Sequence, residues 1–197
     1  MKTFDGVIAR FDFRPPADYM RFLSAGALAN DFKTGMRVSR LSWRSPKEID
    51  SCLWPEYKIK SLVPCAQTPG RDHYCWSLSD HPENPWIAEC PRDSDFAEGF
   101  APHFEGFVFR ALLEEMSGTW LTDDPNTAAR MFRLNADRSR AGLRHVWAEI
   151  LDTLASRPVT FNQANSPRVI SEEYAAQVVN SELAFPMLGK QFKQHLD

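Results

Sequence analysis

Hydrophobic and polar positions change their period along this chain. Between residues 59 and 90 the period is two. Tyr74, Trp76 and Leu78 alternate with His73, Cys75 and Ser77, as side chains on opposite faces of a strand do. Apolar runs at 59–66 and 86–90 flank that segment, and the stretches QTPGRD and SDHPENP between the runs are rich in turn residues. The pattern predicts three strands of an antiparallel meander. From about residue 101 to Met116 the period becomes helical. Phe104, Phe107, Val108, Ala111 and Leu112 form one stripe, and Gly118 is a natural C-terminal stop. Asp95 with Glu98 three residues later resembles a capping box, so a short turn is expected before this helix.

Upstream, Pro15-Pro16 favours a helix start and predicts a helix over 17–27, with Tyr19, Phe22 and Leu23 on its apolar face. Met36, Val38 and Leu41 suggest a short strand. Ser45-Pro46 followed by Glu48 predicts a short helix carrying Ile49, Cys52 and Leu53. Beyond Gly118 the pattern reads as helical throughout. Asn126 would cap a helix holding Ala129, Met131 and Phe132. A single long helix is expected over 137–155, with Leu143, Val146, Trp147, Ile150, Leu151 and Leu154 on one face. Residues 158–170 read as a linker. Ser171 with Glu172 and Glu173 opens a further helix, because acidic side chains favour the positive helix N-terminus. A last short helix is expected from near Pro186.

Composition narrows the function classes. A chain of 197 residues with 43% hydrophobic residues can build a sizeable core, and 14 Phe with 6 Trp make it aromatic. A net charge of −3 argues against general nucleic-acid affinity. The apolar run Val7 to Ala9 is too short for a signal-peptide core, and no run reaches a membrane span. A cytoplasmic location is therefore expected, with the four cysteines as thiols. Charge is uneven. Residues 1–60 hold 11 Lys/Arg against 7 Asp/Glu, whereas residues 80–117 hold 2 against 9, a balance of −7. Such a block is either a solvated surface or a patch that steers a basic partner.

Several segments taken in order resemble the SUKH superfamily. PPADYMRFLSAGA is similar to its opening helix. YKIKSLVPCAQTPGRDHYCWSL resembles its central hairpin, with Leu62 to Ala66, Gly70, Asp72, Tyr74 and Cys75 at the characteristic places. PWIAEC looks like the next strand, and FAPHFEGFVFRALLEEM like the aromatic helix after it. The loop Thr68-Pro69-Gly70-Arg71 is poorer in glycine than the family's. The resemblance covers about residues 15–117. It implies an α+β domain over 1–117, with a twisted, largely antiparallel sheet packed with helices. Residues 118–197 would be a helical extension packed on it as one structural unit. It also implies a non-enzymatic, protein-binding role, most often that of a bacterial immunity protein neutralising a toxin by direct complex formation. The expected partner is a protein, plausibly a basic toxin domain. Neither nucleic acid, membrane nor cofactor is expected. The residues expected to meet that partner are Asp80, Glu83, Trp86, Glu89 and Asp93, the first two in a proline-bearing loop and Trp86 as an aromatic anchor.

Two chemical alternatives compete. Cys52, Cys65, Cys75 and Cys90 with His73 offer metal-ligand types, but no Cys-x-x-Cys pair is present, and buried cysteine commonly serves as a small hydrophobe. No metal or catalytic residue is assigned on this basis. A small hydrolase or transferase would use Cys65 or Cys75 as nucleophile, with His73 or His103 as base and Asp72 as orienter. Adjacent Asp72 and His73 point to opposite strand faces, which weakens that triad. The arginines at 130, 133, 138, 140 and 144 read as a solvated helix face.

Overall fold

A computed structural model describes residues 4–30, 35–38, 40–51, 61–78, 83, 85–118 and 122–195. The fold is α+β. Five strands follow one another around a sheet that a sixth, from the C-terminal end, completes: β1 (Ser42–Trp43), β2 (Leu62–Gln67), β3 (His73–Ser77), β4 (Trp86–Cys90), β5 (Phe96–Ala101) and a final strand at Gln191–Lys193. All pair antiparallel with their neighbours. The three expected strands are therefore present and consecutive, with Trp76 opposite Val63 and Ile87. Residues 59–60 of the first lie outside the described residues. Pro64 has no N–H to give a ladder, and it sits beside a register shift that leaves Cys65 as the extra residue.

The chain divides into two compact units. One holds residues 1–20, 41–104 and 185–197; the other holds 21–40 and 105–184. The first contains the sheet. One sheet face carries Trp76, whose ring meets Phe13 at 5.2 Å, Tyr19 at 5.0 Å and Phe104 at 5.9 Å. The other face is lined by small residues, Cys75, Ala88, Cys90 and Ala97, beside Leu62 and Trp86, and Phe185 and Phe192 pack against them. Gly99 in β5 is required there, because a Cβ would stand 1.9 Å from the Met187 carbonyl oxygen.

Helices α1 (Asp5–Phe11), α2 (Ala17–Ser24) and α3 (Pro46–Asp50) precede the meander. The Ser45/Glu48 capping box forms as expected, with Ile49 fully buried; Cys52 and Leu53 lie outside the described residues. Helix α4 (Phe104–Ser117) carries the predicted stripe, and Phe109, Leu113 and Met116 are buried as well. Helices α5 (Pro125–Ser139), α6 (His145–Ala155) and α7 (Glu172–Leu183) follow, the last capped by Ser171. No helix among the described residues is long and apolar enough to cross a membrane.

Several expectations are corrected. The region read as a capped turn at 95–98 is strand β5, whose FAEGFA sequence hides its alternation behind alanine and glycine. Met36 and Val38 are not in a strand, and β1 is confined to Ser42–Trp43. The cap of α5 is Asp124, not Asn126: its carboxylate accepts from the Asn126 and Thr127 amides. The long helix expected over 137–155 is two helices. The chain breaks after Ser139, where a Cβ on Gly142 would meet the Phe22 ring at 2.4 Å. Within α6 the buried face is Trp147, Ala148, Leu151, Leu154 and Ala155, and Val146 falls outside it, 55% exposed instead of buried. The region after Gly118 is not wholly helical. The linker candidate holds the hairpin strands β6 (Thr160–Phe161) and β7 (Pro167–Arg168), and the expected final helix is instead β8 (Gln191–Lys193). Sequence gave no sign of α1.

Candidate functional site

The best-built surface lies where the β2–β3 and β4–β5 turns meet. In the first turn the Thr68 amide donates to the Asp72 carbonyl at 2.9 Å, and the Thr68 hydroxyl donates to Asp72 Oδ2 at 2.9 Å. Gly70 does not take the left-handed conformation; Arg71 does, with φ of 71°. A side chain there costs roughly 1–2 kcal/mol, so the turn's hydrogen bonds hold the residue against its preference. Asp72 Oδ1 accepts from the Arg92 amide at 3.0 Å and so ties this turn to the next.

The second turn, residues 91–95, is fixed from the other side. Gln194 is fully buried, and its side-chain amide donates to the carbonyls of Pro91 at 2.9 Å and Ser94 at 2.7 Å. Its backbone amide donates to the Asp95 carbonyl at 3.0 Å. His195 Nδ1 lies 3.0 Å from Asp95 Oδ1. On top of this fixed backbone the Asp93 side chain is 94% exposed and that of Asp95 81%. The Arg92–Asp93 approach of 3.9 Å joins two exposed groups, where screening leaves little energy. Phe96, next along, is 46% exposed.

Of the residues expected to meet a partner, those the structure describes differ in exposure. Asp80 lies outside the described residues. Glu83 and Asp93 are exposed. Glu89 is half-buried and accepts from the Tyr74 hydroxyl at 3.1 Å. Trp86 is buried, with its ring 5.2 Å from Phe192 and 5.9 Å from Phe185, so it anchors the C-terminal segment and is not presented to solvent. Further along the acidic block, carboxylates are buried or paired. Glu105 is buried, and its carboxylate accepts from the Arg144 amide and guanidinium and faces Arg21 at 3.5 Å. Glu114 pairs with Arg110 at 2.8 Å, and Glu115 is buried. Part of the −7 balance of residues 80–117 therefore lies in the interior, with Glu105 and Glu115. Sequence reasoning passed over Phe96 and gave Asp95 and Glu98 to a helix cap, because β5 was not recognised as a strand.

The thiols are packing groups. Cys65, Cys75 and Cys90 are fully buried, and Cys52 lies outside the described residues. Burial pushes the Cys65 thiol well above its ordinary value, and its Sγ donates to the Tyr74 carbonyl at 3.2 Å. A thiol held protonated in this way is a poor nucleophile. Asp72 is committed to the two turns and does not serve His73 as an orienter. His103 instead lies 3.9 Å from Asp18. Among the described residues no three His, Cys, Asp or Glu side chains are grouped to hold a metal ion. The chain matches no family model, no curated protein and no solved structure.

Proposed function

We propose that the chain is a non-enzymatic binding protein of the immunity type, acting in the cytoplasm of a bacterium by direct complex formation with a basic toxin domain. The SUKH-like order of segments over residues 15–117 motivates the class. The observation that carries the binding mode is the exposure of Asp93 and Asp95 on turns locked by Asp72 and Gln194. Charges on a fixed backbone lose little conformational freedom when a partner arrives, and exposed charges act mainly on the rate of encounter.

Co-expression with the product of the neighbouring gene tests the function. Restored growth and a stoichiometric complex are the expected result; a toxic neighbour left unneutralised and unbound overturns it. In that complex, Glu83→Lys with Asp93→Lys should slow association at low salt, and less so near 1 M, where the screening length falls to about 3 Å. An association rate indifferent to both reversal and salt would show that these acids only solvate the surface.

A further inference from the structure

The C-terminal segment covers two thiols with one layer of chain. Among the described residues 184–195 Gln194 alone is buried, and the others are exposed or half-buried. Beneath the segment the sheet face is closed. Cys75, Cys90 and Trp86 belong to a buried cluster, and Phe185 and Phe192 pack against it. Their rings lie 5.9 and 5.2 Å from that of Trp86. β8 gives three residue pairs to β5, and Gly99 exchanges backbone bonds with Gly189 at 2.9 Å and Lys190 at 3.0 Å. Gln194 anchors the segment from within, through the Pro91 and Ser94 carbonyls. The segment follows Ala184, whose φ of 43° is a left-handed conformation that a Cβ disfavours.

We propose that residues 185–195 form a strap that lifts from the sheet while the rest of the chain stays folded, and that lifting opens Cys75 and Cys90 to small soft electrophiles such as alkyl halides. A short edge strand with solvent on its outer side gives up little buried area when it leaves, so its opening lies at the low end of the local stabilities. The sheet survives the loss, because β5 keeps its pairing with β4. Cys75 stands opposite Ala88, which places Cys90 at the diagonal position on the same face. Diagonal neighbours are about 7–8 Å apart, beyond the reach of a disulfide without backbone movement, so the uncovered thiols react with the reagent and not with each other. Cys65 is the internal reference. It is fully buried, it lies outside the covered cluster, and its Sγ donates to the Tyr74 carbonyl. Lifting the strap leaves it enclosed.

Iodoacetamide is the probe. The thiolate displaces iodide, a C–S bond forms, and the thiol proton goes to the buffer. The full chain is labelled at fixed pH in urea concentrations below its unfolding transition, and peptide mass spectrometry follows each cysteine separately. The slope of a labelling rate with urea measures the surface exposed in the opening that admits the reagent, whatever the intrinsic reactivity of the thiol. Cys75 and Cys90 should share a shallow slope, and Cys65 should show the steep slope of global unfolding. Gln194→Ala removes the anchor and should speed labelling of Cys75 and Cys90 about tenfold without urea, leaving Cys65 unchanged. Should that variant fail to fold, the slopes of the unaltered chain decide alone. One common slope for the three thiols, no labelling of Cys75 and Cys90 short of global unfolding, or equal acceleration of all three in a folded Gln194→Ala variant overturns the strap.

Discussion

Trp147 lies parallel to Phe109, its ring centroid 4.7 Å away and the planes 11° apart, while the Arg144 guanidinium covers the indole at 3.8 Å. The indole N–H donates to Glu182 Oε2 at 3.0 Å, so a fully packed ring also satisfies its one polar atom. Trp147→Phe keeps the stack and removes the hydrogen bond, leaving the Glu182 carboxylate to solvent. It should cost about 1–2 kcal/mol, whereas Trp147→Ala should cost about 3–5 kcal/mol. Urea titration of the two variants checks the order; equal losses would show that the stack contributes little.

Phe104 is fully buried, with Tyr19 at 4.9 Å, Trp43 at 6.2 Å and Trp76 at 5.9 Å from its ring. Removing the ring leaves a cavity among three aromatic neighbours that cannot all collapse into it. Phe104→Ala should therefore destabilise by about 3–5 kcal/mol, a large part of the stability of an ordinary domain. A melting temperature within about 2 °C of the wild type would contradict this packing.

Gln194 should matter more than its place near the C-terminal end suggests. Gln194→Ala strips the Pro91 and Ser94 carbonyls of a donor inside a buried site and should cost about 1–3 kcal/mol. Hydrogen exchange locates the effect: the amides of residues 94–98 and 191–194 should lose protection first. Uniform loss across the sheet would mean that the clasp is not a local device.

The cap of α5 gives a pH dependence. Hydrogen bonds from the Thr127 side chain and amide hold the Asp124 carboxyl below its ordinary value. A carboxylate depressed in the folded state contributes stability that is present above its unfolded pKa and lost as pH falls through the folded one. The amides of Asn126 and Thr127 should therefore keep their shifts at neutral pH and move together on strong acidification. In Asp124→Asn, which can still accept a hydrogen bond but does not titrate, that movement should vanish. An Asp124 titrating at or above the ordinary carboxylate range would refute the cap.

The sequence by itself determined elements whose signal is local. The strand alternation of residues 73–78, the stripe of α4, the Ser45/Glu48 box and the Ser171 cap depend on neighbours within a few residues, and each forms where the pattern places it. Tertiary structure decided the rest. β5 is a strand because its Ala97 and Gly99 lie under Phe192 and Met187, residues some ninety positions away. β8 is a strand because β5 offers it an edge and Gln194 fastens it there, and no periodicity in three residues can announce that. The helical pattern of 137–155 is divided between α5 and α6, and Gly142 in the gap leaves the room that the Phe22 ring takes. The candidate site follows the same division. The acids were visible as a block in the chain, but burial commits Glu105 and Glu115 to the interior and a hydrogen bond turns Glu89 toward Tyr74. Strand register alone sets Glu98 opposite Glu89 and on one face with Phe96, because pairing between strands is fixed by packing across the sheet and not by spacing along it.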